Sequence, residues 1–408
     1  MTNDIQIYEN VFKICLSIAL GMFIGMEREW AQKGAGIRTF ALISLCGAVF
    51  AFIGHQLVFV GAVFVVILSV FEAIWGLLKG GDVHLTTMVA IVLAYCTGVL
   101  VGLEFYTFAV ILAITVTALL AIKHELHDFV GGMSAQDVKG AVKFGILAFV
   151  IFPILPNEYI DPWQIVNPRM IWLMVVLVSG FGFLNYIIMK RMGSHGIAYT
   201  GFFGGLANST AVVGELVSRV RSHPDLALFT ATAVILSNVA MCLRNLVICA
   251  VFSWELASIV LFPLLGMALV GLLYFFFAGT GTSKVEVELK SPFNIAHALT
   301  FGLIFLCMIF ISAMAHMHFG GAGFYISELI SGTISSASAT TSAIVLYQAE
   351  KIDQTTAVLG IILANISSVI AKIGLIGTAG NKELTKYVTI GSVATVVVAL
   401  VAAIVLLI

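Results

Sequence analysis

The sequence predicts an all-α protein, a polytopic transmembrane helical bundle of about 12–14 membrane segments, with an internal repeat in its C-terminal half and room for broken or re-entrant helices. Three observations carry that reading. Apolar residues make up 61% of the 408 and charged residues 10%, against roughly 25% charge in a soluble domain. Apolar stretches of about 20 residues recur from end to end, the length a helix needs to cross the hydrocarbon. Polar, glycine-bearing segments recur at a fixed spacing in the second half. A β-barrel would need alternating apolar and polar residues, which are absent.

Taken in order, hydropathy places spans near 11–28, 37–55, 58–78, 85–103, 105–123, 141–156, 170–190, 197–218, 230–252, 257–278, 297–315, 323–347, 356–377 and 386–408. Two polar stretches, KHELHDFVGGMSAQDVKG (123–140) and GTGTSKVEVELKSP (279–292), divide them. The expected organisation is a first domain over 1–128, a connecting segment with one transmembrane helix over 129–168, and two repeats over 169–280 and 293–408. The opening MTNDIQIYENVFK carries acidic residues where a signal peptide carries basic ones, so the first helix is expected to stay. Arg28, Lys33 and Arg38 put the first loop inside and the N-terminus outside, and Lys79, Lys123, Lys139, Lys143, Lys190 and Arg191 agree at alternate loops. Arg219 and Arg221 break the alternation unless 197–218 is re-entrant.

The repeat has one register. Gly205 falls on Gly332 (332 − 205 = 127), and the same shift pairs Gly193 with Gly320, Gly196 with Gly323, Ser209 with Ser336 and Asn238 with Asn365. GGLANSTAVVGEL thus meets SGTISSASATTSA, and AVILSNVAMCLRNL meets GIILANISSVIAKI. Paired, glycine-broken polar segments point to a transporter site, because freed backbone groups are tolerated at membrane depth only where protein buries them. The expected path sets Asn208, Ser209 and Thr210 facing Ser335, Ser336, Ser338, Thr340 and Thr341, with Asn238 and Asn365 beside them. The competing reading is that small and hydroxyl residues let helices pack closely. Ionisable residues inside spans are costly, and here they are Glu72, Glu215, Arg244, Glu328 and Lys372. Glu72 or Glu215 paired with Arg244 or Lys372 would offset that cost, as a gate or as a static bridge.

The runs GMFIGMEREW (21–30), GAGIRTFALISLCGAVF (34–50) and HLTTMVAIVLAYCTGVLVGL (84–103) resemble the MgtC/SapB membrane domain over the first 125 residues. The remainder resembles the membrane domain that follows MgtC in longer bacterial relatives. The resemblance implies a bacterial inner-membrane protein with a link to magnesium, and virulence-associated relatives look like regulators. Its motif residues here are Glu27, Arg28, Glu29, Arg38, Thr39, Glu72, Thr86 and Thr87. A Glu-to-Arg pair could clamp the first helical hairpin, or two carboxylates on one turn could offer hard oxygens to Mg²⁺. Thr86 and Thr87 could cap the fourth helix or meet an ion.

Other signals are weak. Six cysteines lie in apolar runs without Cys-x-x-Cys spacing and read as small hydrophobes. His124 and His127 beside Glu125 and Asp128, and His316 with His318, read as loop residues, so the metal remains unknown. No enzyme motif appears, so no catalytic residue and no cofactor is expected. A net charge of −1 gives nucleic acid no attraction. The expected partners are the lipid bilayer and a small ion, with a homodimer open. The expected function is a transporter or channel-like permease, for a divalent cation such as Mg²⁺ first. The alternatives are a transporter of a small anion or amino acid, and a non-transporting membrane regulator.

Overall fold

A computed structural model of the chain describes residues 2–31, 35–78, 85–192, 197–277 and 295–407. Lys33, Lys79, Gly193, Gly196, the 279–292 stretch and the side chains of His124 and Arg191 lie outside what is described. All regular structure among the described residues is helical, and nine of these helices are long and apolar enough to cross a membrane. Residues 1–133 and 134–408 form two compact units.

In the first unit lie α1 (Thr2–Trp30), α2 (Ile37–Ile53), α3 (His55–Leu78), α4 (Leu85–Gly102), α5 (Tyr106–Ala121) and α6 (Lys123–Gly131). Lipid tails give apolar side chains no reason to leave them, so close backbone approach has to hold these helices together. Glycines supply it. A Cβ at Gly21 would stand 2.6 Å from the Phe40 carbonyl oxygen, and one at Gly98 would stand 1.8 Å from that of Ser44. Buried Lys13 adds an electrostatic tie, reaching Glu9 at 3.1 Å and Glu104 at 2.7 Å. That ammonium holds the exposed Glu104 carboxyl below its ordinary range.

The second unit opens with α7 (Ala135–Gly145), which runs on through a π-helical turn, Ile146–Ile151. Then come α8 (Pro168–Met192), α9 (Ile197–Ser222), α10 (Ala227–Phe252), α11 (Trp254–Phe277), α12 (Ile295–Ile334), α13 (Ser336–Gln348), α14 (Gln354–Gly377) and α15 (Lys382–Leu407). Three residues interrupt this series. Asn208 breaks α9 with φ −155 and ψ 95. Gly320 breaks α12 at φ 59, a value glycine reaches without strain. Ser335 separates α12 from α13 with φ −153 and ψ 101, close to the values at Asn208.

The chain reverses at Gly320. Ser312 and Glu328 bond at 3.0 Å although 16 residues apart, whereas a continuous helix would set them about 24 Å apart. The expected spans 297–315 and 323–347 therefore become a long arm (295–319), a half-length arm (321–334) and α13.

The direction of α9 follows from its glycines. A Cβ at Gly201 would meet the carbonyl of Ala233, and one at Gly205 would meet Ser237. The first arm of α9 therefore climbs alongside α10 in the same direction. Only residues 223–226 join the end of α9 to the start of α10, so the second arm has to come back down. A Cβ at Gly204 would sit 2.6 Å from Val212, confirming the sharp bend. Arg219 and Arg221 thus lie at the same end of the bundle as Lys190, which removes the strain in the basic-residue pattern. In the same way Glu328 meets Gly360 and Gly332 meets Ala364, so arm 321–334 climbs α14 in parallel and α13 returns.

We expect Gly98→Ala to lower the stability of the purified protein by about 1–3 kcal/mol, the usual cost of overpacking against backbone. Gly131→Ala, with open space around it, should be neutral or slightly stabilising. Thermal melts in detergent compare the two.

Candidate functional site

The two breaks meet at the middle of the second unit, and the groups that satisfy them define a polar centre. A break exposes carbonyls at the end of one arm and N–H groups at the start of the next. Asn208 caps the returning arm of α9, its Oδ1 accepting from the Ala211 N–H at 3.0 Å. Ser335 caps α13 by the same device, accepting from the Ser338 N–H at 3.2 Å. The freed carbonyls of Leu206 and Ala207 take Nη1 of Arg244, at 3.5 and 3.3 Å.

Arg244 also donates through Nη2 to Ser336 Oγ at 3.3 Å. Its neighbour Asn245 donates to the same oxygen at 3.2 Å and to Asn365 Oδ1 at 2.7 Å. Asn365 in turn donates to Thr340 at 3.4 Å and to the Ile361 carbonyl at 2.8 Å. Lys372 donates to Asn238 Oδ1 at 2.8 Å and approaches the Met241 sulfur at 3.1 Å. Since Asn238 meets Lys372 while Asn245 meets Asn365, α10 and α14 cross antiparallel.

Charge is the notable property of this centre. Arg244 is 5% exposed and Lys372 is 1% exposed, and among the described residues neither forms an ion pair. Their acceptors are carbonyls, amides, a hydroxyl and a thioether. Two α-helix N-termini, with their partial positive charge, begin at the capping residues beside Arg244. A buried charge without a counter-charge is expensive, several kcal/mol per ion, and such residues mark functional positions inside membranes. Among the described residues the amide of Asn238 is also left without an acceptor.

The sequence-predicted path residues divide accordingly. Ser336, Thr340, Asn238, Asn365, Arg244 and Lys372 come together, and Ser209, Ser338 and Thr341 are buried nearby in the same broken elements. Thr341 turns its hydroxyl back to the Ala337 carbonyl. Thr210 is half-buried and Asn208 exposed, its side chain used as a cap. Glu215 does not reach Arg244 or Lys372. It lies exposed on the returning arm and pairs with Arg219 at 2.7 Å, because one helical turn separates them. Glu72 is half-buried in α3 of the other unit. Sequence reasoning missed Asn245, although the 127-residue shift sets it on Lys372.

In the first unit the motif Glu27-Arg28-Glu29 is arranged differently from the expected clamp. Buried Arg28 bonds to Glu27, its neighbour in α1. Glu29 closes the hairpin instead, its Oε2 accepting the Ile37 N–H at 2.9 Å, where a carboxylate meets the positive end of α2. Arg38 is exposed, Thr39 half-buried and Thr86 exposed. Thr87 is buried with its hydroxyl unpaired, so it does not cap α4. Among the described residues no group of three or more His, Cys, Asp or Glu is placed to hold a metal.

A second missed cluster anchors α7 to α8. Asp137 completes a capping box with Ser134, accepts from Tyr186 at 2.6 Å and pairs with Lys190. Burial pushes its carboxyl up, but Lys190, Tyr186 and Ser134 together hold it well below the usual carboxylate range.

This geometry defines a class, a multi-pass α-helical membrane protein built around helices broken in its interior. Residues 14–129 match the MgtC family, and residues 176–380 match the domain of unknown function DUF4010. The chain belongs to the DUF4010 family, with an MgtC domain in front, and the whole polar centre falls within the DUF4010 match. A protein of Aquifex aeolicus (strain VF5), described as uncharacterized, is 29% identical over 204 residues, covering 49% of this chain and 89% of its own length. No solved structure gives a significant match.

We expect Asp137→Asn to cost about 1–3 kcal/mol at neutral pH, as for a buried partner left unmatched, discounted because the Lys190 side chain is 35% exposed. The folded carboxyl titrates below its unfolded value, so this stabilisation is full above the unfolded value near 3.9 and is lost as the pH falls through the depressed range. Melting curves of the two proteins should therefore converge in acid.

Proposed function

We propose that the second unit is a permease for a small anion, which binds between the two broken helices at Arg244 and Lys372. One observation carries this reading: two buried cations meet carbonyls, amides, a hydroxyl and a thioether at the centre, with no carboxylate paired to either among the described residues. A divalent cation at this spot would face both charges in a poorly screened interior, so Mg²⁺ is disfavoured here. An anion would supply the missing counter-charge and use the helix N-termini as such sites commonly do.

The antiparallel crossing of α10 and α14, and the matched breaks 127 residues apart, support a reading of 169–280 and 293–408 as inverted repeats. In transporters of that design the substrate lies near the midplane, where discontinuous helices meet. The burial of Ser336, Thr340, Asn365, Arg244 and Lys372 then corresponds to a closed form between two open ones. On this reading the protein sits in the bacterial inner membrane with its N-terminus outside, and the MgtC-like unit accompanies the permease. It has no catalytic role.

The same closed centre fits a non-transporting regulator, and flux separates the two. The test is uptake by proteoliposomes of labelled phosphate, sulfate, acetate, glutamate, Mg²⁺ and Mn²⁺. We expect flux of at least one anion, reduced about tenfold or more in Arg244→Gln and in Lys372→Met. That factor corresponds to about 1.4 kcal/mol of lost interaction. Lys372→Met should also melt higher than the parent, since an uncompensated buried charge is removed. Cation flux untouched by either substitution would overturn the anion reading, and absence of any flux would favour the regulator.

A further inference from the structure

Glu328, on the half-length arm of α12, is fully buried at 0% exposure. Its Oε1 accepts from Ser312 at 3.0 Å, and the Ser327 hydroxyl, whose proton also has the Phe324 carbonyl at 2.7 Å, lies 3.2 Å from the Ser312 oxygen. Its second oxygen, Oε2, has no closed hydrogen bond among the described residues. The Ser342 hydroxyl stands beside the carboxyl as a further donor to it, with no closed hydrogen bond among the described residues. Among the described residues no basic group forms an ion pair with it.

The fold does not need an acid here. The position 127 residues earlier is Gly201, packed on Ala233 where Glu328 packs on Gly360. A site that one half fills with hydrogen and the other with a buried carboxyl is specialised. Charged, with only serine hydroxyls beside it and no cation, the carboxylate would cost several kcal/mol at membrane depth. A cation is the missing component, and the smallest one suits an oxygen with room for one hydrogen bond.

A groove borders these hydroxyls. Ser327 and Ser331 line a groove of about 630 Å³ between arms 295–319 and 321–334, otherwise walled by apolar residues such as Met308, Ile311, Ile326 and Ile330. The Ser327 oxygen lies between that groove and Ser312, whose hydroxyl bonds Oε1.

We propose that Glu328 is a proton-binding site, loaded from this groove through Ser327 and Ser312, and that its proton is the coupling ion of the permease. In the step, a proton adds to the carboxylate to give the neutral acid, whose O–H donates to a serine hydroxyl. Nothing else is consumed. Binding of the proton stands on the local geometry, and its use in coupling rests on the anion-permease reading.

The titratable groups on the packed helices are few. The long arm of α12 carries His316, one turn past Ser312, with its ring 6.2 Å from that of Phe324 and its buried Nδ1 unpaired, then Cys307 and exposed His318. The short arm carries Tyr325, and α13 carries Tyr347 near its far end. On α14, Lys372 lies 12 residues past Gly360, about 18 Å along the helix. Among the described side chains of α8 they are Arg169, Tyr186 and Lys190, of which the last two are held by Asp137.

The test is infrared spectroscopy of the full chain in lipid nanodiscs. Wild type should show a protonated-carboxyl C=O band that disappears as the pH is raised and is absent from Glu328→Gln. Ser312→Ala should shift the band without removing it, which guards against a variant that merely misfolds. Replacing K⁺ by Na⁺ at fixed pH should leave it unchanged. Spectra of wild type and Glu328→Gln that coincide at every pH would overturn the proposal, as would a band displaced by Na⁺, which would make this a sodium site. In proteoliposomes, anion uptake should follow an imposed pH gradient in wild type, and Glu328→Gln should keep exchange but lose that response. Uptake by wild type indifferent to the gradient would overturn the coupling role. A titrating band with no uptake of any anion would leave the proton site standing and remove the permease reading instead.

Discussion

A helix that stops inside a membrane has to find protein partners for the backbone groups it releases, because lipid offers none. The second unit is organised around that constraint. Arg244 takes the carbonyls that end the first arm of α9, while Asn208 and Ser335 take N–H groups at the start of the returning segments. Small residues then become obligatory where the arms lie against α10 and α14, since Gly205 and Gly332 leave no room for a side chain. The polar centre is a consequence of the breaks, and its excess positive charge is what remains once the backbone is satisfied.

Much of this was legible in the chain. Helix positions follow from apolar run length, although nine of the described helices, against the 12–14 segments expected, are long and apolar enough to cross, and the 127-residue register picks out Asn238, Ser336 and Asn365 before any coordinate is known. Direction was harder to read. Hydropathy is blind to whether a segment crosses or returns, and only the parallel contacts of Gly201 and Gly205 with α10 show that α9 comes back. Charge pairing was harder still. Glu215 looked like a partner for Arg244 because both lie in apolar surroundings, yet helix geometry gives it Arg219 one turn away. Lys190 looked like an orientation signal and also holds Asp137, a contact 53 residues distant that no local pattern announces.

The first unit solves its packing by another route. Gly21, Gly47 and Gly98 bring backbones into contact, and the acidic motif is spent within its own hairpin, Glu27 on Arg28 and Glu29 on the start of α2. The resemblance that names the domain is carried by these residues, and their observed bonds are structural. Chemistry suited to an ion is richer in the second unit, where the sequence signal is a spacing and a composition more than a motif.

The antiparallel crossing of α10 and α14 has an electrical corollary. Arg244 and Lys372 ride on helices that traverse the membrane, so any displacement of either helix along the membrane normal carries charge through the transmembrane field. A full crossing is worth about 2.3 kcal/mol per charge for each 100 mV. One helical turn, about 5.4 Å of a core roughly 30 Å thick, would be worth about 0.4 kcal/mol per charge. The helices point in opposite senses, so concerted sliding along their own directions moves the two charges oppositely and cancels most of that work, whereas motion of one alone does not. Membrane voltage would thus weigh differently on a symmetric rearrangement of this centre than on a lopsided one.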